Sequence, residues 1–432
     1  MGNGIKAGAI WTISAFALSI FFRFSTNIVL ARVLSPEVFG VMMIVNTVRV
    51  GAELLTDVGI EHSVVTNKNG EDKEFKDTAW TLQVLKGGLL AVLILILSYP
   101  IKLIYGIDYR YIWFVSAAIF ANSMHSIAVF TLVRRLETRK RNTFEISSEL
   151  IGALFSIAIC VFAPTVWSVL VAAVVSSLIR TMTSYILPDA MQRLKFNRVY
   201  VREIILFGRG IGVSSVLFYL SNNFDKIFLS YKLNLGALGL YSVSRTIADM
   251  PSLLGRRLAY QIVFPLVSSL KRGDPKTSVD LNVGSARFLL LCAFAIMLSI
   301  AIVFADIFFS ILYDSRYQGA VPVVRVMFFA AWFAIISYLI EGILMSSGMQ
   351  KKNIVSQILK LLSMIICIPL MQSKWGIIGA VYAILFSEVL RFIVISVSMR
   401  RSEYNYLRSD VLLTLGFVLI SASGLYARGI LV

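Results

Sequence analysis

The stretch FLLLCAFAIMLSIAIVFA, residues 288–305, decides the fold class, because its eighteen consecutive residues include no charged side chain. A helix of about 20 predominantly apolar residues crosses a ~30 Å hydrocarbon layer. Similar stretches recur along the 432 residues, of which 58% are hydrophobic and only 15% are charged. This composition excludes a soluble globular domain and predicts an all-α polytopic membrane protein.

The apolar stretches define thirteen candidate membrane spans. Only Pro164 and Thr165 separate spans five and six, which predicts a tight helical hairpin. The first stretch carries Arg23 and has no small-residue cleavage site, so we interpret it as a span and not as a signal peptide. The spans cover residues 7–30, 38–62, 78–100, 110–133, 144–163, 166–187, 204–230, 237–267, 284–312, 320–345, 353–373, 376–398 and 410–430.

The net charge of +17 reflects how basic residues are distributed among the loops. Alternate loops carry 22 Lys and Arg residues in the set that includes the N-terminal segment, and seven in the other set. The positive-inside rule therefore places the N-terminus in the cytoplasm. Because topology explains the basic residues, nucleic acid is not an expected partner.

An internal repeat relates the two halves of the chain. Residues 30–42, LARVLSPEVFGVM, align with residues 229–241, LSYKLNLGALGLY, at an offset of 199, and Arg180 aligns with Arg391 at an offset of 211. Six spans separate each pair, so both copies face the same way, as in a parallel repeat about an axis along the membrane normal. The repeat predicts two six-helix lobes, residues 1–200 and 201–400, and an additional C-terminal span in residues 401–432.

Polar side chains recur along one face of four spans. An ionised side chain near the bilayer centre costs at least ~2.5 kcal/mol, so such residues face a bundle interior or water. The four stripes therefore predict a hydrated central cavity lined by spans one, two, seven and eight. The stripes are Thr12, Ser19, Arg23 and Asn27 in span one, Asn46, Arg49, Glu53 and Asp57 in span two, Ser215, Tyr219, Asn222 and Lys226 in span seven, and Arg245, Asp249, Ser252 and Arg256 in span eight.

The stripes of spans two and eight admit a second interpretation. Each contains an arginine with an acidic residue at i,i+4, so both arginines can form intrahelical ion pairs, and Arg256 can snorkel to the interface. This interpretation does not explain Arg23 and Lys226, which have no acidic residue at i,i+4 on their own stripes. A surplus of guanidinium groups suits a phosphate-bearing substrate, because the planar fork binds phosphate oxygens bidentately.

Other charges inside the spans have less definite roles. Glu341 stands alone in span ten, as either an ion-coupling carboxylate or a group satisfied by an interhelical hydrogen bond. Glu388 and Arg391, at i,i+3, are expected to pair with each other. The sequence assigns no role to Glu145 or Glu149.

The sequence contains no pattern that predicts catalysis. No Ser/His/Asp constellation or acidic metal motif is present, and His62 and His125 lack metal-ligand spacing. We therefore expect neither an enzyme nor a cofactor or metal.

The stretches that carry a family resemblance lie in both halves of the chain. They are, in order, LARVLSPEVFG (30–40), DVGIEHSVV (57–65), DTAWTL (77–82), NNFDKIFLSYKLNLGALGLYSVSRTIADMP (222–251) and VFPLVSSL (263–270). In this order they resemble the Wzx-type oligosaccharide flippases, the polysaccharide transporters of the multidrug/oligosaccharidyl-lipid/polysaccharide (MOP) exporter superfamily. The resemblance extends from residue 1 to about residue 400.

This resemblance implies a flippase that moves undecaprenyl-pyrophosphate-linked oligosaccharide units across a bacterial inner membrane by alternating access. The implied partners are the lipid-linked substrate, the bilayer, and a polymerase and chain-length regulator of the same pathway. The chain is expected to act as a monomer because the pathway lies within it. The expected substrate-binding residues are Arg23, Asn27, Arg49, Asn222, Lys226, Arg245 and Arg256, and the ion-coupling candidates are Glu53, Asp57, Asp225, Asp249 and Glu341.

Three other functions remain open from the sequence. A lipid II flippase or a cation-coupled drug antiporter belongs to the same superfamily, although a cavity for cationic drugs should be acidic. A membrane polysaccharide polymerase would need long loops that carry catalytic groups, and no predicted loop exceeds roughly 20 residues.

Overall fold

The computed structural model describes residues 2–56, 59–271, 283–400 and 404–430. Over these ranges the chain is helical and contains no strand, which confirms the all-α prediction. The helices are α1 (Gly2–Val33), α2 (Pro36–Leu55), α3 (Ile60–Thr66), α4 (Lys73–Tyr105), α5 (Tyr109–Ser123), α6 (Ala128–Arg134), α7 (Thr138–Phe162), α8 (Val166–Ser184), α9 (Arg198–Lys232), α10 (Leu235–Leu258), α11 (Phe264–Lys271), α12 (Val283–Val303), α13 (Ala305–Leu312), α14 (Val321–Ser346), α15 (Gln350–Val397) and α16 (Leu407–Ala427).

Several helices begin where the sequence supplies a capping residue. Thr165 caps α8 by accepting a hydrogen bond from the Ser168 amide at 3.3 Å, and Asn197 caps α9 through the Val199 amide at 2.9 Å. Because α7 ends at Phe162 and α8 begins at Val166, the predicted hairpin at Pro164 is confirmed.

The helices are long and apolar enough for a multi-pass membrane protein. In the part of the chain that the structure describes, seven helices meet the length and composition needed to cross a bilayer, or eight if the bent pair α5 and α6 counts as one crossing. One of the seven, α15, is long enough for two crossings (48 residues). The count of thirteen spans stays a prediction.

The predicted span over residues 110–133 is not one continuous helix. It is divided into α5 and α6, which meet at a bend of 55°. At the bend, Tyr185 Oη donates to the Met124 carbonyl at 2.7 Å, and Gln83 Nε2 donates to the Ser123 and His125 carbonyls at 2.8 and 3.0 Å. A side chain of α4 and one just after the end of α8 thus donate hydrogen bonds to carbonyl groups that would be bonded within the helix if it were continuous.

The helix α15 is bent back on itself at Trp375 and Gly376, which have non-helical backbone angles. The φ of Gly376 is +60°, a conformation that favours glycine. Lys360 Nζ lies 2.5 Å from Glu388 Oε1, whereas in a straight helix a separation of 28 residues would span about 42 Å. The two arms therefore form a hairpin and correspond to predicted spans eleven and twelve, 353–373 and 376–398.

The chain divides into two compact units, residues 1–239 and 240–432. In the first unit, α9 packs along α2, and the boundary between the units falls near the start of α10. In the second unit, α14 packs against α12 and both arms of the α15 region, and α16 packs against α12. The two six-helix lobes, residues 1–200 and 201–400, stay a prediction from the internal repeat.

Two glycines of the first unit make reciprocal close contacts that follow the repeat. A Cβ on Gly40 would overlap the carbonyl oxygen of Leu235, and a Cβ on Gly239 would overlap that of Pro36. At the offset of 199, Gly40 corresponds to Gly239 and Pro36 to Leu235. The two contacts are therefore equivalent under the repeat, and both require the absence of a side chain.

Candidate functional site

The polar stripe of α1 is anchored on α7. Glu149 of α7 accepts a hydrogen bond from Ser19 Oγ at 2.5 Å and forms an ion pair with Arg23 through the guanidinium Nε. The Arg23 side chain remains 70% exposed, whereas that of Glu149 is 22% exposed. Arg23, which lacks an acidic neighbour on its own helix, therefore has one on the neighbouring helix.

The stripe of α2 forms contacts within the helix. Arg49 Nη2 donates to Asn46 Oδ1 at 3.0 Å, and Arg49 Nη1 lies 3.6 Å from Glu53 Oε1. The geometry matches the intrahelical interpretation, although the guanidinium is still 39% exposed. Asp57 lies outside the described residues.

The stripe of α9 lies beside α2 in the same unit. Tyr219 Oη donates to the Thr47 carbonyl at 2.8 Å, and a Cβ on Gly51 would lie 2.6 Å from that hydroxyl. Lys226 Nζ donates to Asn223 Oδ1 at 3.1 Å, and Asp225 is fully buried. The side chain of Asn222 donates to the Phe218 carbonyl at 2.8 Å, one turn earlier.

The stripe of α10 belongs to the second unit beyond Gly239. Arg245 Nε lies 3.2 Å from Asp249 Oδ1, again within one helix. The Arg256 guanidinium lies 5.9 Å from the centre of the Tyr338 ring, a cation–π distance. Arg256 thus lies beside an aromatic ring of α14 in the same unit.

Glu341 is the centre of an interhelical network in the second unit. Arg391 Nη2 donates to Glu341 Oε2 at 2.8 Å, and Asn353 Nδ2 donates to Oε1 at 2.9 Å. Tyr260 Oη also donates to Oε1, at 3.2 Å. Of the two roles predicted for this carboxylate, the geometry corresponds to the interhelical hydrogen bond.

The expected pairing of Glu388 with Arg391 is wrong. Glu388 pairs with Lys360 and Arg391 pairs with Glu341, and all but Glu341 lie in α15. The spacing of three within a helix allows a pair, but tertiary packing brings better-placed partners. Both basic groups are at most 2% exposed, where an unpaired charge would be costly.

Sequence reasoning missed the contribution of α7. Glu145 and Glu149, one turn apart, each hold an arginine of a neighbouring helix, Arg180 on α8 and Arg23 on α1. The sequence did contain an indication of this role, because the two glutamates lie four residues apart on an apolar helix. Identifying the partners requires knowing which helices pack on α7.

The stripes therefore combine exposed guanidinium groups with carboxylates that hold them in place. Arg23 and Arg49 are the more exposed arginines, and Arg245 is 17% exposed. Guanidinium groups fixed at one edge still offer their remaining N–H groups to an oxyanion. The arrangement is suited to binding an anionic group of a ligand and holds no cluster of acidic, His or Cys residues, among the described ones, that could bind a metal.

Comparison with known proteins places the chain in a family. The profile of the family described as "Polysaccharide biosynthesis protein" matches residues 29–322. The lipopolysaccharide biosynthesis protein WzxC of Escherichia coli (strain K12) is 22% identical over 397 residues, 90% of this chain and 79% of WzxC. The succinoglycan biosynthesis transport protein ExoT of Rhizobium meliloti (strain 1021) is 22% identical over 270 residues, 62% of this chain and 54% of ExoT.

Solved structures with the same fold are membrane transporters. The lipid II flippase MurJ in an inward closed conformation superposes with a TM-score of 0.71 at 13% identity, covering 98% of this chain and all of MurJ (100%). A multidrug resistance MATE family transporter of the MOP superfamily, in an inward-facing conformation, gives 0.66 at 13% identity and covers 95% of this chain and 99% of the transporter. At such low identity these likenesses establish the fold alone. The chain is a multi-pass membrane protein that shares its fold with these two transporters, and it belongs to the family described as "Polysaccharide biosynthesis protein".

Proposed function

We propose that the protein is a flippase for undecaprenyl-pyrophosphate-linked oligosaccharide units, moving them from the cytoplasmic to the periplasmic leaflet of a bacterial inner membrane by alternating access. The observation that carries the proposal is the family match over residues 29–322, in a chain whose membrane helices bear basic stripes. The names of WzxC and ExoT, which refer to lipopolysaccharide and succinoglycan biosynthesis, agree with a carbohydrate-bearing substrate.

In this proposal the basic side chains of the stripes bind the pyrophosphate. Their charge is opposite to that of the ligand, and guanidinium groups match phosphate oxygens in geometry. Neutral amides on the same stripes add hydrogen bonds without charge. The proposed binding residues are Arg23, Asn27, Arg49, Asn222, Lys226, Arg245 and Arg256.

Carboxylates of the stripes are the proposed link to a cation gradient. Protonation or cation binding at such a group changes the balance of charge beside the arginines, so it can bias one conformation over another. Glu53 and Asp249 already contact stripe arginines. The other candidates are Asp57, Asp225 and Glu341.

The proposal is tested by replacing one arginine in each unit. In cells that depend on the plasmid-borne gene, Arg23→Ala and Arg245→Ala should each abolish polymer export, because each removes a full positive charge that the proposal assigns to binding pyrophosphate. Protein abundance in the membrane, measured on immunoblots, should stay at the wild-type level.

Arg110→Ala is the matched control, because Arg110 is an exposed arginine outside the stripes whose partner, Asp108, lies at the start of α5. Export should continue in this variant. If Arg23→Ala and Arg245→Ala both export normally, these arginines do not bind the substrate.

A further inference from the structure

Glu149 is more closely tied to the proposed substrate site than its position on α7 suggests. Its two carboxylate oxygens have separate partners, Ser19 Oγ on Oε2 at 2.5 Å and Arg23 Nε on Oε1. Both partners lie on the same stripe of α1, one turn apart. The carboxylate is thus oriented by Ser19 so that it faces the guanidinium of a residue that the proposed function assigns to the pyrophosphate.

The two members of the ion pair differ in accessibility. The Glu149 side chain is 22% exposed and that of Arg23 is 70% exposed. Contact through Nε uses one edge of the guanidinium, while its end groups carry further N–H donors. A ligand phosphate can therefore approach Arg23 while Glu149 is still in place, but it does so beside a negative charge.

A phosphate oxygen and the Glu149 carboxylate compete for the same positive charge. Two like charges at short range repel each other, and they do so more strongly at a protein surface than in water because the effective dielectric constant there is lower. Side-on bidentate binding of a phosphate, through Nε and one Nη of Arg23, requires the edge that Glu149 occupies, whereas the end-on mode through the two Nη groups stays open.

We propose that Glu149 is a built-in counter-ion that competes with the substrate pyrophosphate for Arg23 and thereby sets how readily the substrate is released. This inference rests on the proposed function, because it needs a pyrophosphate at Arg23. Transport requires binding that is strong enough for entry and weak enough for exit. When the substrate leaves, Glu149 recaptures Arg23, and Ser19 keeps the carboxylate in position to do so.

The alternative role of Glu149 is purely structural, as a tie between α1 and α7. The chain offers a matched control for that role, because Glu145 lies one turn away on α7 and pairs with Arg180 of α8 at 2.8 Å. Arg180 also packs 5.8 Å from the centre of the Phe144 ring and belongs to none of the polar stripes. If Glu149 only joins α1 to α7, Glu149→Gln should change the affinity for undecaprenyl pyrophosphate no more than Glu145→Gln does.

The test measures binding and transport separately. Full-length protein in nanodiscs is titrated with undecaprenyl pyrophosphate, and the same variants are assayed for leaflet-resolved flipping of a defined lipid-linked oligosaccharide in proteoliposomes. Glu149→Gln should bind undecaprenyl pyrophosphate about 3- to 10-fold more tightly, as expected for loss of one competing surface charge. Its turnover at saturating substrate should fall by a similar factor, because release becomes slower.

Three further variants keep the test decisive. Ser19→Ala, which removes only the orienting hydrogen bond, should change affinity and turnover in the same directions but by less. Glu145→Gln should leave the affinity unchanged, and Arg23→Ala combined with Glu149→Gln should bind no more tightly than Arg23→Ala alone.

Unchanged or weaker binding by Glu149→Gln, alongside measurable binding by the wild type, would overturn the counter-ion role and leave the proposed function intact. If the wild type binds no undecaprenyl pyrophosphate, the proposed function itself fails, and the counter-ion role fails with it.

Discussion

Individual arginines in this protein differ mainly in where their acidic partner comes from. Arg49 and Arg245 use a carboxylate of the same helix, whereas Arg23 uses Glu149 of a different helix. An intrahelical partner moves with its arginine, but an interhelical one also joins two helices. Substituting an interhelical partner therefore changes both the charge at the arginine and the packing of the helices.

An interhelical carboxylate outside the membrane spans gives a prediction about pH. Glu71, between α3 and α4, accepts hydrogen bonds from Arg135 Nε and Nη2 at 3.1 and 2.7 Å. The hydrogen bond from Arg135 is the largest influence on the pKa of the Glu71 carboxyl and lowers it, with help from the charges of Arg135, Lys76 and Arg134.

Because the pKa of Glu71 is lower in the folded protein than in the unfolded chain, its ionised carboxylate stabilises the fold at pH values above the unfolded-state pKa of about 4.3. This stabilisation is lost as the pH falls through the lower, folded-state pKa. Glu71→Gln should therefore reduce the unfolding free energy by less than about 1 kcal/mol at neutral pH, as expected for an exposed pair. Thermal unfolding measured at about pH 7 and about pH 3 should show a smaller difference from wild type at the lower pH. A difference of equal size at both pH values would contradict the ionic origin.

At the scale of single elements, α16 shows how an additional helix becomes part of a compact unit. Arg287 of α12 donates to both carboxylate oxygens of Asp410, at 2.5 and 2.7 Å, near the start of α16. Near its end, Arg428 donates to both oxygens of Asp306 at 2.8 and 2.9 Å. Between these pairs, Trp332 of α14 donates to Thr414 at 3.0 Å. The predicted additional span is therefore an integral part of the second unit.

The pair of Arg287 and Asp410 provides the prediction at this scale, because their side chains are only 2% and 1% exposed. Asp410→Asn leaves a buried guanidinium without its counter-charge and should cost about 3–5 kcal/mol of unfolding free energy. The double variant Arg287→Met with Asp410→Leu should cost much less, since apolar groups of similar volume replace both charges.

Chemical or thermal unfolding in detergent measures both effects. Asp314→Asn is the control, because the exposed pair of Asp314 with Arg316 lies at a similar distance, 2.8 Å, and should contribute at most about 1 kcal/mol. Equal losses for Asp410→Asn and Asp314→Asn would show that burial does not determine the strength of this pair.

Elements also show what sequence could and could not predict. The apolar runs predicted the hairpin at Pro164 and the two arms of α15, because run length and breaking residues are local properties. The bend between α5 and α6 was missed, since the groups that satisfy its carbonyls, Gln83 and Tyr185, come from other parts of the chain. The partner of Arg23 was missed for the same reason, because Glu149 lies 126 residues away.

At the scale of the whole molecule, the chain consists of two compact units within a transporter fold. Basic stripes occur in both units, on α1, α2 and α9 of the first and on α10 in the second. A protein that only scaffolded a membrane complex would bear the cost of these charges without using them. The proposed function assigns to the chain itself the movement of a pyrophosphate-linked glycan lipid across a bilayer.

The most direct test is leaflet-resolved flipping in proteoliposomes that contain the purified full-length protein and a fluorescent undecaprenyl-pyrophosphate-linked oligosaccharide. Quenching from outside reports the fraction of substrate that has changed leaflet, with and without an imposed proton or sodium gradient. If the proposed function is right, the wild type should flip the substrate well above the rate of protein-free vesicles, and faster with one of the gradients. Arg23→Ala should flip it at the background rate. Flipping at the protein-free rate by correctly folded wild-type protein under every gradient would contradict the proposed function.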